Sequence, residues 1–308
     1  MPNVLNGKDF LLLHAFIEKT FSSNCSEHLK ADLYHSITEN WAELLTISQD
    51  KILYTPPDER ESLWVRISAL EFAVLSILTD SNSDTEHFTY YTLFQTISNT
   101  ILSVIDLADN GFDYPAMVLI RNLYEQFMTL LIITESPKKR AEFIAAKDNE
   151  SARKVWHQYF SKKNFLRMLE TYLKNDAACC QDYLSWAEQL YKHLSSFIHN
   201  DFAYLATLSM SQPDPTGLCH PNLWGEYVSR RKSICSVLFS TVFFSQFVFS
   251  CMLYERQTDI TFDWFCKTHF TDGYDQLKEA WQNIHRVSMS LGIKIVAEAD
   301  DEKFTVSN

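Results

Sequence analysis

The sequence predicts an all-α fold, a multi-helix bundle, and three observations support this prediction. Helix breakers are rare: the 308 residues include six glycines and eight prolines, and neither occurs in 8–55 or 138–212. Long runs carry apolar residues at helical spacing. Capping residues and prolines stand just before several of these runs, as they do at helix starts. A strand-rich fold would need more turn residues than this chain contains.

The first half of the chain gives four helix predictions. They are one or two helices in 8–48, a helix opened by Thr55 and Pro56 that runs to about 79, a helix over 86–109 that Gly111 ends, and a helix that Asp113 caps and that ends near Pro137. The acidic residues after Pro56 suit the positive end of a helix dipole.

The second half is predicted as further helices with one long loop. The helices are expected over 138–147, 150–173, 178–208, 223–256 and 273–291, and the loop over 211–222, which holds three of the prolines. In the tail, "IKIV" and "KFTV" alternate around the acidic turn "EADDE", which predicts a small β-hairpin.

Composition limits the compartment and the chemistry. The net charge of −12 argues against nucleic-acid binding over the whole surface, but it leaves room for a local basic groove. Seven cysteines without a CxxC pair, and a start that lacks signal-peptide features, predict a cytoplasmic protein. Cys219 and His220 are too few ligands for zinc. With no glycine-rich phosphate loop either, we expect no metal and no cofactor.

The run 234–254 contains no charged residue and is long enough to span a membrane. Polar residues nevertheless recur through it: Ser236, Ser240, Thr241, Ser245, Gln246 and Ser250. We therefore expect a central helix of the bundle and no membrane association.

The stretch "LIRNLYEQFMTLLI", residues 119–132, is apolar nearly all round yet carries Arg121 and Glu125 one helical turn apart. A buried charge without a partner is costly, so the two must pair with each other or with a group opposite. Two interpretations remain open. The pair is either a bridge that fixes helix register or part of a ligand or catalytic pocket.

A second stripe lies in "EQLYKHLSSFIHND", residues 188–201. Glu188, Lys192, Ser195 and His199 are spaced by four, three and four, which puts them on one helical face. Small residues, Ala203 and Ala206, continue this face. The stripe is either a solvated surface or a contact that partly buries His199 against a neighbouring helix.

The segments "NGFDYPAMVLIRNLYE" and "YKHLSSFIHND" resemble the bacterial domain-of-unknown-function 5677 family over about 90–255. Its Arg-x-x-x-Glu and Ser-x-x-x-His motifs match Arg121, Glu125, Ser195 and His199. The resemblance implies an all-α fold and almost nothing about activity. We expect one helical domain over 1–308, with 90–255 as the family-like core, helices in 1–85, and a C-terminal helix and tail in 256–308.

The chain is also distantly similar to HEPN-type helical bundles, many of which cleave RNA with an Arg and a later His that are separated by four to six residues. Here Lys192 holds the place of that Arg before His199, and lysine lacks the two-pronged geometry of arginine.

Two hypotheses about function follow. The first is a metal-independent RNase, a toxin or phage-defence effector that holds RNA in a local groove. His199 would be the general acid–base, Arg121 or Lys192 would steady the phosphate, and Glu125 and Ser195 would complete the site. The second is a non-catalytic bundle that binds a small ligand, a protein partner or another copy of the chain at the same polar centre. Both predict that the Arg121 and His199 side chains converge.

Overall fold

A computed structural model describes residues 57–79, 83–173, 177–198, 216–218, 231–254 and 259–266, residue 278, and most residues between 281 and 297. Within these ranges the backbone is helical apart from short connections, and no strand forms beyond an isolated bridge between Thr79 and Cys266. The all-α prediction is confirmed. The predicted helices in 8–48 and most of the predicted loop at 211–222 lie outside the described residues.

The described helices run as α1 (Pro57–Leu78), α2 (Thr85–Asp109), α3 (Asp113–Glu135), α4 (Pro137–Ala145), α5 (Asn149–Tyr159), α6 (Lys162–Leu173), α7 (Ala177–Ile198), α8 (Arg231–Tyr254) and α9 (Phe262–Phe265). The described residues between 281 and 297 are helical as well, and we call them the C-terminal segment.

Helices α1, α2, α3 and α8 form a four-helix bundle, because each packs against the next and α8 returns to α1. Each contributes a buried phenylalanine to the centre: Phe72, Phe94, Phe127 and Phe249. The Phe72 ring lies 5.5 Å from that of Phe127, and the Phe94 ring lies 5.9 Å from that of Phe249. Aromatic contacts at these distances add to the apolar burial that holds such a core together.

The other helices lie outside this bundle. Helix α7 packs on α3, and α6 packs on α7, so α3 is covered both by the bundle and by this outer layer. This double covering explains why α3 buries residues on nearly every side.

The signals at the α2 and α3 ends are confirmed in part. Asp84 caps α2, with its carboxylate accepting a hydrogen bond from the backbone N–H of His87. Gly111 takes a positive φ of 75° just after α2, a conformation that glycine adopts without strain. The prediction that Asp113 caps α3 is wrong. Phe112 holds that position and Asp113 is the first helical residue, where its charge still faces the positive end of the helix dipole.

The single helix predicted over 150–173 is two helices, α5 and α6, which break at Phe160 and Ser161. Phe160 is buried and stacks on Trp156, with ring centroids 5.3 Å apart. The chain turns here because this ring packs into the core. No glycine or proline marks the break in the sequence.

The predicted C-terminal β-hairpin is also wrong in its first arm. Residues 293–296, the "IKIV" of the prediction, continue the helical C-terminal segment. Four alternating residues are weak evidence for a strand, and packing decides here, since Ile295 is buried while Ile293 stays exposed. The second arm, 303–306, lies outside the described residues.

Two helices, α3 and α8, are long and apolar enough to cross a membrane by composition alone. Core helices of soluble proteins pass the same test. In the structure, 72% of the apolar window in α3 and 61% of that in α8 is buried, and the two helices pack on each other.

Candidate functional site

Arg121 lies in the middle of α3 with its side chain buried, at 6% relative exposure for the residue. Its Nη2 atom forms an ion pair of 2.8 Å with Oε1 of Glu125, one turn further along the helix. The Glu125 side chain retains 37% of its exposure and therefore reaches the edge of the site. The predicted pair forms, but only the cation is buried.

Two tyrosines enclose the guanidinium. The Tyr191 ring of α7 lies 4.5 Å from the guanidinium carbon of Arg121, and the Tyr124 ring of α3 lies 5.9 Å away. The Tyr124 hydroxyl donates to the carbonyl oxygen of Ala187 at 3.3 Å and so ties α3 to α7. Burial raises the pKa of Tyr124 well above its ordinary value, which keeps this donor protonated.

Two of the three guanidinium nitrogens of Arg121 have no hydrogen-bond partner among the described residues. Nε and Nη1 are buried, and within the described part of the chain no acceptor lies within reach of either atom. Buried N–H groups are nearly always satisfied, and each one left unpaired costs about 1–3 kcal/mol. Arg121 therefore presents donors that no acceptor of the described residues satisfies.

Further charges stand beside the tyrosines. Glu188 of α7 pairs with Lys162 of α6 at 2.9 Å and with Lys192 of α7 at 3.3 Å. These hydrogen bonds from the two lysines lower the pKa of Glu188. The Lys162 Nζ atom also lies 5.4 Å from the Tyr191 ring centre. Tyr191 thus lies close to both Arg121 and Lys162.

We call this group the Arg121 centre. It comprises Arg121, Tyr124, Glu125, Lys162, Glu188, Tyr191 and Lys192. Of the predicted site residues, it brings together Arg121, Glu125 and Lys192. Ser195 is half-buried on α7, one turn after Tyr191, and no described contact joins it to Arg121. His199 lies outside the described residues, so its convergence with Arg121 stays a prediction.

Sequence reasoning missed three members of the centre. They are Tyr124, Tyr191 and Lys162. Tyr191 stands three residues after Glu188 and four before Ser195, so helical spacing alone places it on the polar stripe. Lys162 reaches the site from another helix, which no local pattern reveals.

A second buried polar group, the Glu71 cluster, comprises Glu71 of α1, Gln246 and Ser250 of α8, and His285 of the C-terminal segment. His285 Nδ1 lies 2.6 Å from Glu71 Oε2, to which Gln246 Nε2 also donates at 2.6 Å. His285 Nε2 lies 2.9 Å from the Ser250 hydroxyl. Glu71 and Gln246 are almost fully buried. The sequence holds one hint, a lone glutamate within the apolar run "WVRISALEFAVLSIL".

Metal binding finds little support in the described residues. No group of three histidine, cysteine, aspartate or glutamate side chains converges there. The described cysteines, Cys235, Cys251 and Cys266, are not joined in disulfides.

Comparisons with known proteins give one match. Residues 87–177, less than a third of the chain, match the model of DUF5677, a family of unknown function. This segment contains Arg121 and Glu125 and ends before Ser195 and His199. Searches of curated proteins and of solved structures found no match. The match extends from α2 to the start of α7. The likeness to DUF5677 therefore includes the Arg-x-x-x-Glu motif of the Arg121 centre.

Proposed function

We propose that this protein binds an anionic ligand, one that presents phosphate or carboxylate oxygens, at the Arg121 centre. The observation that carries the proposal is the pair of buried, unpartnered donors on Arg121, Nε and Nη1. A guanidinium has no acceptor capacity, so only an oxygen or another acceptor can satisfy these atoms. Phosphate and carboxylate groups supply several such oxygens together with a compensating charge.

The surroundings of Arg121 favour an anion over a neutral ligand. Glu125 neutralises one edge of the guanidinium, while Tyr191 covers its face without contributing charge. Lys162 and Lys192 add two positive charges nearby, and Glu188 offsets one of them. The centre as a whole holds three cationic and two anionic side chains and therefore carries a net positive charge, in a chain whose overall charge is −12. Such local potential draws in anions.

Thermal unfolding with inorganic phosphate tests the proposal. Phosphate should raise the Tm of the wild type relative to chloride at matched ionic strength, which separates binding from screening. A ligand at 100 times its Kd stabilises the folded state by about 2.7 kcal/mol. Arg121→Met should abolish the shift. Citrate in a parallel series distinguishes a carboxylate from a phosphate preference.

Arg66→Met is the matched control. Arg66 is a partly buried arginine on α1, which contributes no residue to the Arg121 centre, and its Nη2 atom pairs with Asp109 at 3.2 Å. The phosphate shift should survive in this variant. An equal shift in wild type and Arg121→Met, or no shift with any anion, would overturn the proposal.

RNA cleavage, the reaction of many HEPN bundles, is a second proposal that one observation favours. Two cations lie near the Tyr191 ring, with the Arg121 guanidinium carbon 4.5 Å and the Lys162 Nζ atom 5.4 Å from its centre. Aromatic rings flanked by cations suit single-stranded nucleic acids, because bases stack on the ring while the cations meet phosphates. In this proposal His199 supplies the acid–base chemistry, and the protein acts as a cytoplasmic toxin or defence effector.

RNA integrity in cells expressing the protein tests this second proposal. Wild type should degrade RNA, while His199→Ala and Arg121→Met should not, at equal protein levels. Degradation that persists in His199→Ala would exclude the acid–base role. If no variant degrades RNA and phosphate still binds through Arg121, the centre binds without cleaving.

A further inference from the structure

The Glu71 cluster has a geometry that its burial alone does not require. Its three central groups form a chain in which Ser250 Oγ lies 2.9 Å from His285 Nε2, and His285 Nδ1 lies 2.6 Å from Glu71 Oε2. Both distances are short enough for hydrogen bonds. The three residues come from three separate helical segments, so the tertiary fold assembles this chain.

The imidazole of His285 is held in one orientation. Its ring stacks on Trp281 at 4.8 Å with the planes 7° apart, and the Trp281 indole N–H donates to the backbone oxygen of Glu71 at 3.0 Å. Gln246 Nε2 donates to the same Glu71 carboxylate oxygen that faces His285. The carboxylate and the ring are therefore fixed relative to each other before any substrate binds.

The position of the Ser250 hydroxyl hydrogen decides whether Ser250 can act as a nucleophile. Its hydroxyl hydrogen can go to the carbonyl oxygen of Gln246, 2.7 Å away, or to His285 Nε2. In the second arrangement His285 Nδ1–H donates to Glu71, and Nε2 accepts the serine proton. A nucleophile, a base and a group that orients the base, all in hydrogen-bond reach, are the signature of an activated serine.

We propose that Ser250 is the nucleophile of a second site, separate from the Arg121 centre, which takes small esters. His285 is its general base and Glu71 is a positioning residue. Of these three residues, Ser250 is half-buried and reaches solvent, whereas His285 and Glu71 are buried.

The reaction is acyl transfer to water. Ser250 Oγ bonds to the ester carbonyl carbon while its proton passes to His285 Nε2, and the alcohol leaves with that proton. A water molecule then gives a proton to Nε2 and attacks the acyl-serine. The acid departs, the proton returns to Ser250, and no redox partner is needed.

A fluorophosphonate probe tests the nucleophile directly. Ser250 Oγ should displace fluoride and gain a phosphonyl group, detected by mass spectrometry on the peptide that contains Ser250. Folded wild type should be labelled and urea-unfolded wild type should not, a comparison that needs no variant. Ser250→Ala should remove the adduct. Ser236→Ala is the matched control, because Ser236 is also half-buried on α8 but donates to Glu61 with no imidazole involved.

The role of the base is tested with His285→Asn, whose side-chain amide can still donate to Glu71. General-base assistance is worth about 10²–10⁴-fold, so labelling should slow by at least 100-fold. Glu71→Gln should slow labelling and change its pH profile, which a purely structural role would not do. Absence of an adduct on Ser250 in folded wild type, or equal labelling rates in wild type and a folded His285→Asn, would overturn the proposal.

Discussion

At the scale of single residues, two buried arginines use their donors differently. In Arg140 each nitrogen has an acceptor: Nε bonds Glu86 at 2.7 Å, Nη1 bonds the backbone oxygen of Ile133 at 3.1 Å, and Nη2 pairs with Asp259. In Arg121 only Nη2 has a partner within the described parts of the chain. Both residues are buried to a similar degree. Arg140 therefore acts as a structural tie, and its loss should affect stability more than the loss of Arg121.

Replacing each arginine by methionine measures this difference. Arg140→Met should lower the free energy of unfolding by about 2–3 kcal/mol, near the low end for a broken buried pair because both carboxylates stay partly solvated. Arg121→Met should cost under about 1 kcal/mol, since it also removes two unsatisfied donors. Urea unfolding without added anions gives both values. A larger loss in Arg121→Met than in Arg140→Met would show that Arg121 is the structural tie.

The Arg121–Glu125 pair itself has two interpretations that a double variant separates. If the pair only fixes register, each single alanine variant should lose about 3–5 kcal/mol, and Arg121→Met/Glu125→Leu should recover much of it. We expect small losses in both singles, because Glu125 keeps 37% of its exposure and water can solvate it. Thermal melts of the three variants provide the comparison, and large single losses with rescue in the double would contradict a ligand site.

His193 on α7 gives a prediction about pH. Burial lowers the pKa of its imidazole below the ordinary value near 6.5. As pH falls below about 6.5, the unfolded chain takes up this proton first, so stability should decrease from there down to the folded-state pKa. Urea unfolding at pH 7.5 and 5.5 should show a smaller loss in His193→Gln than in wild type. The exposed His157→Gln should behave as wild type; an unchanged pH dependence in His193→Gln would contradict the assignment.

How much of the candidate site the sequence could predict depends on where the partners lie. Arg121 and Glu125 are one turn apart on one helix, so their spacing in the sequence is enough to predict the pair. Tyr191 and Lys162 reach Arg121 from other helices, and only packing brings them in. Glu71 is the extreme case, since the side chains it bonds are 175 and 214 residues away.

At the scale of elements, helix ends were predictable where a local residue sets them. Asp84 and Gly111 act within one turn of the backbone they stabilise. The break at Phe160 and the helix over 291–297 follow from burial of particular side chains, which the sequence does not reveal without the neighbouring helices.

Gly292 tests how closely the C-terminal segment packs on the bundle. A Cβ at this position would lie 2.5 Å from ring carbons of Phe243 and 3.0 Å from Nε1 of Trp64. Gly292→Ala should lower stability by about 1–3 kcal/mol through overpacking, although alanine is the better helix former. Urea unfolding measures the loss. Ile293→Ala, at the exposed neighbouring position, is the control and should change stability little; a Gly292→Ala variant as stable as wild type would contradict the close packing.

At the scale of the whole molecule, α3 and α8 raise the question of the membrane. Both pass the length and composition test, yet each buries most of its apolar window against other helices of the chain. We therefore expect the expressed protein to be soluble without detergent. Recovery in the membrane fraction after carbonate washing would contradict this prediction, and fractionation with a known integral membrane protein as a marker provides the measurement.

The side-chain contacts of Glu71 can form only late in synthesis of the chain. Its imidazole partner leaves the ribosome 214 residues later, which at about 5–20 residues per second is a delay of roughly 10–40 s. For most of this interval α1 can meet α2 and α3, but its carboxylate lacks both the glutamine and the histidine that cover it in the finished bundle. The nascent chain should consequently hold α1 loosely and depend on chaperones until its last helical segment arrives, and ribosome-bound chains that stop before Trp281 should remain sensitive to protease within α1.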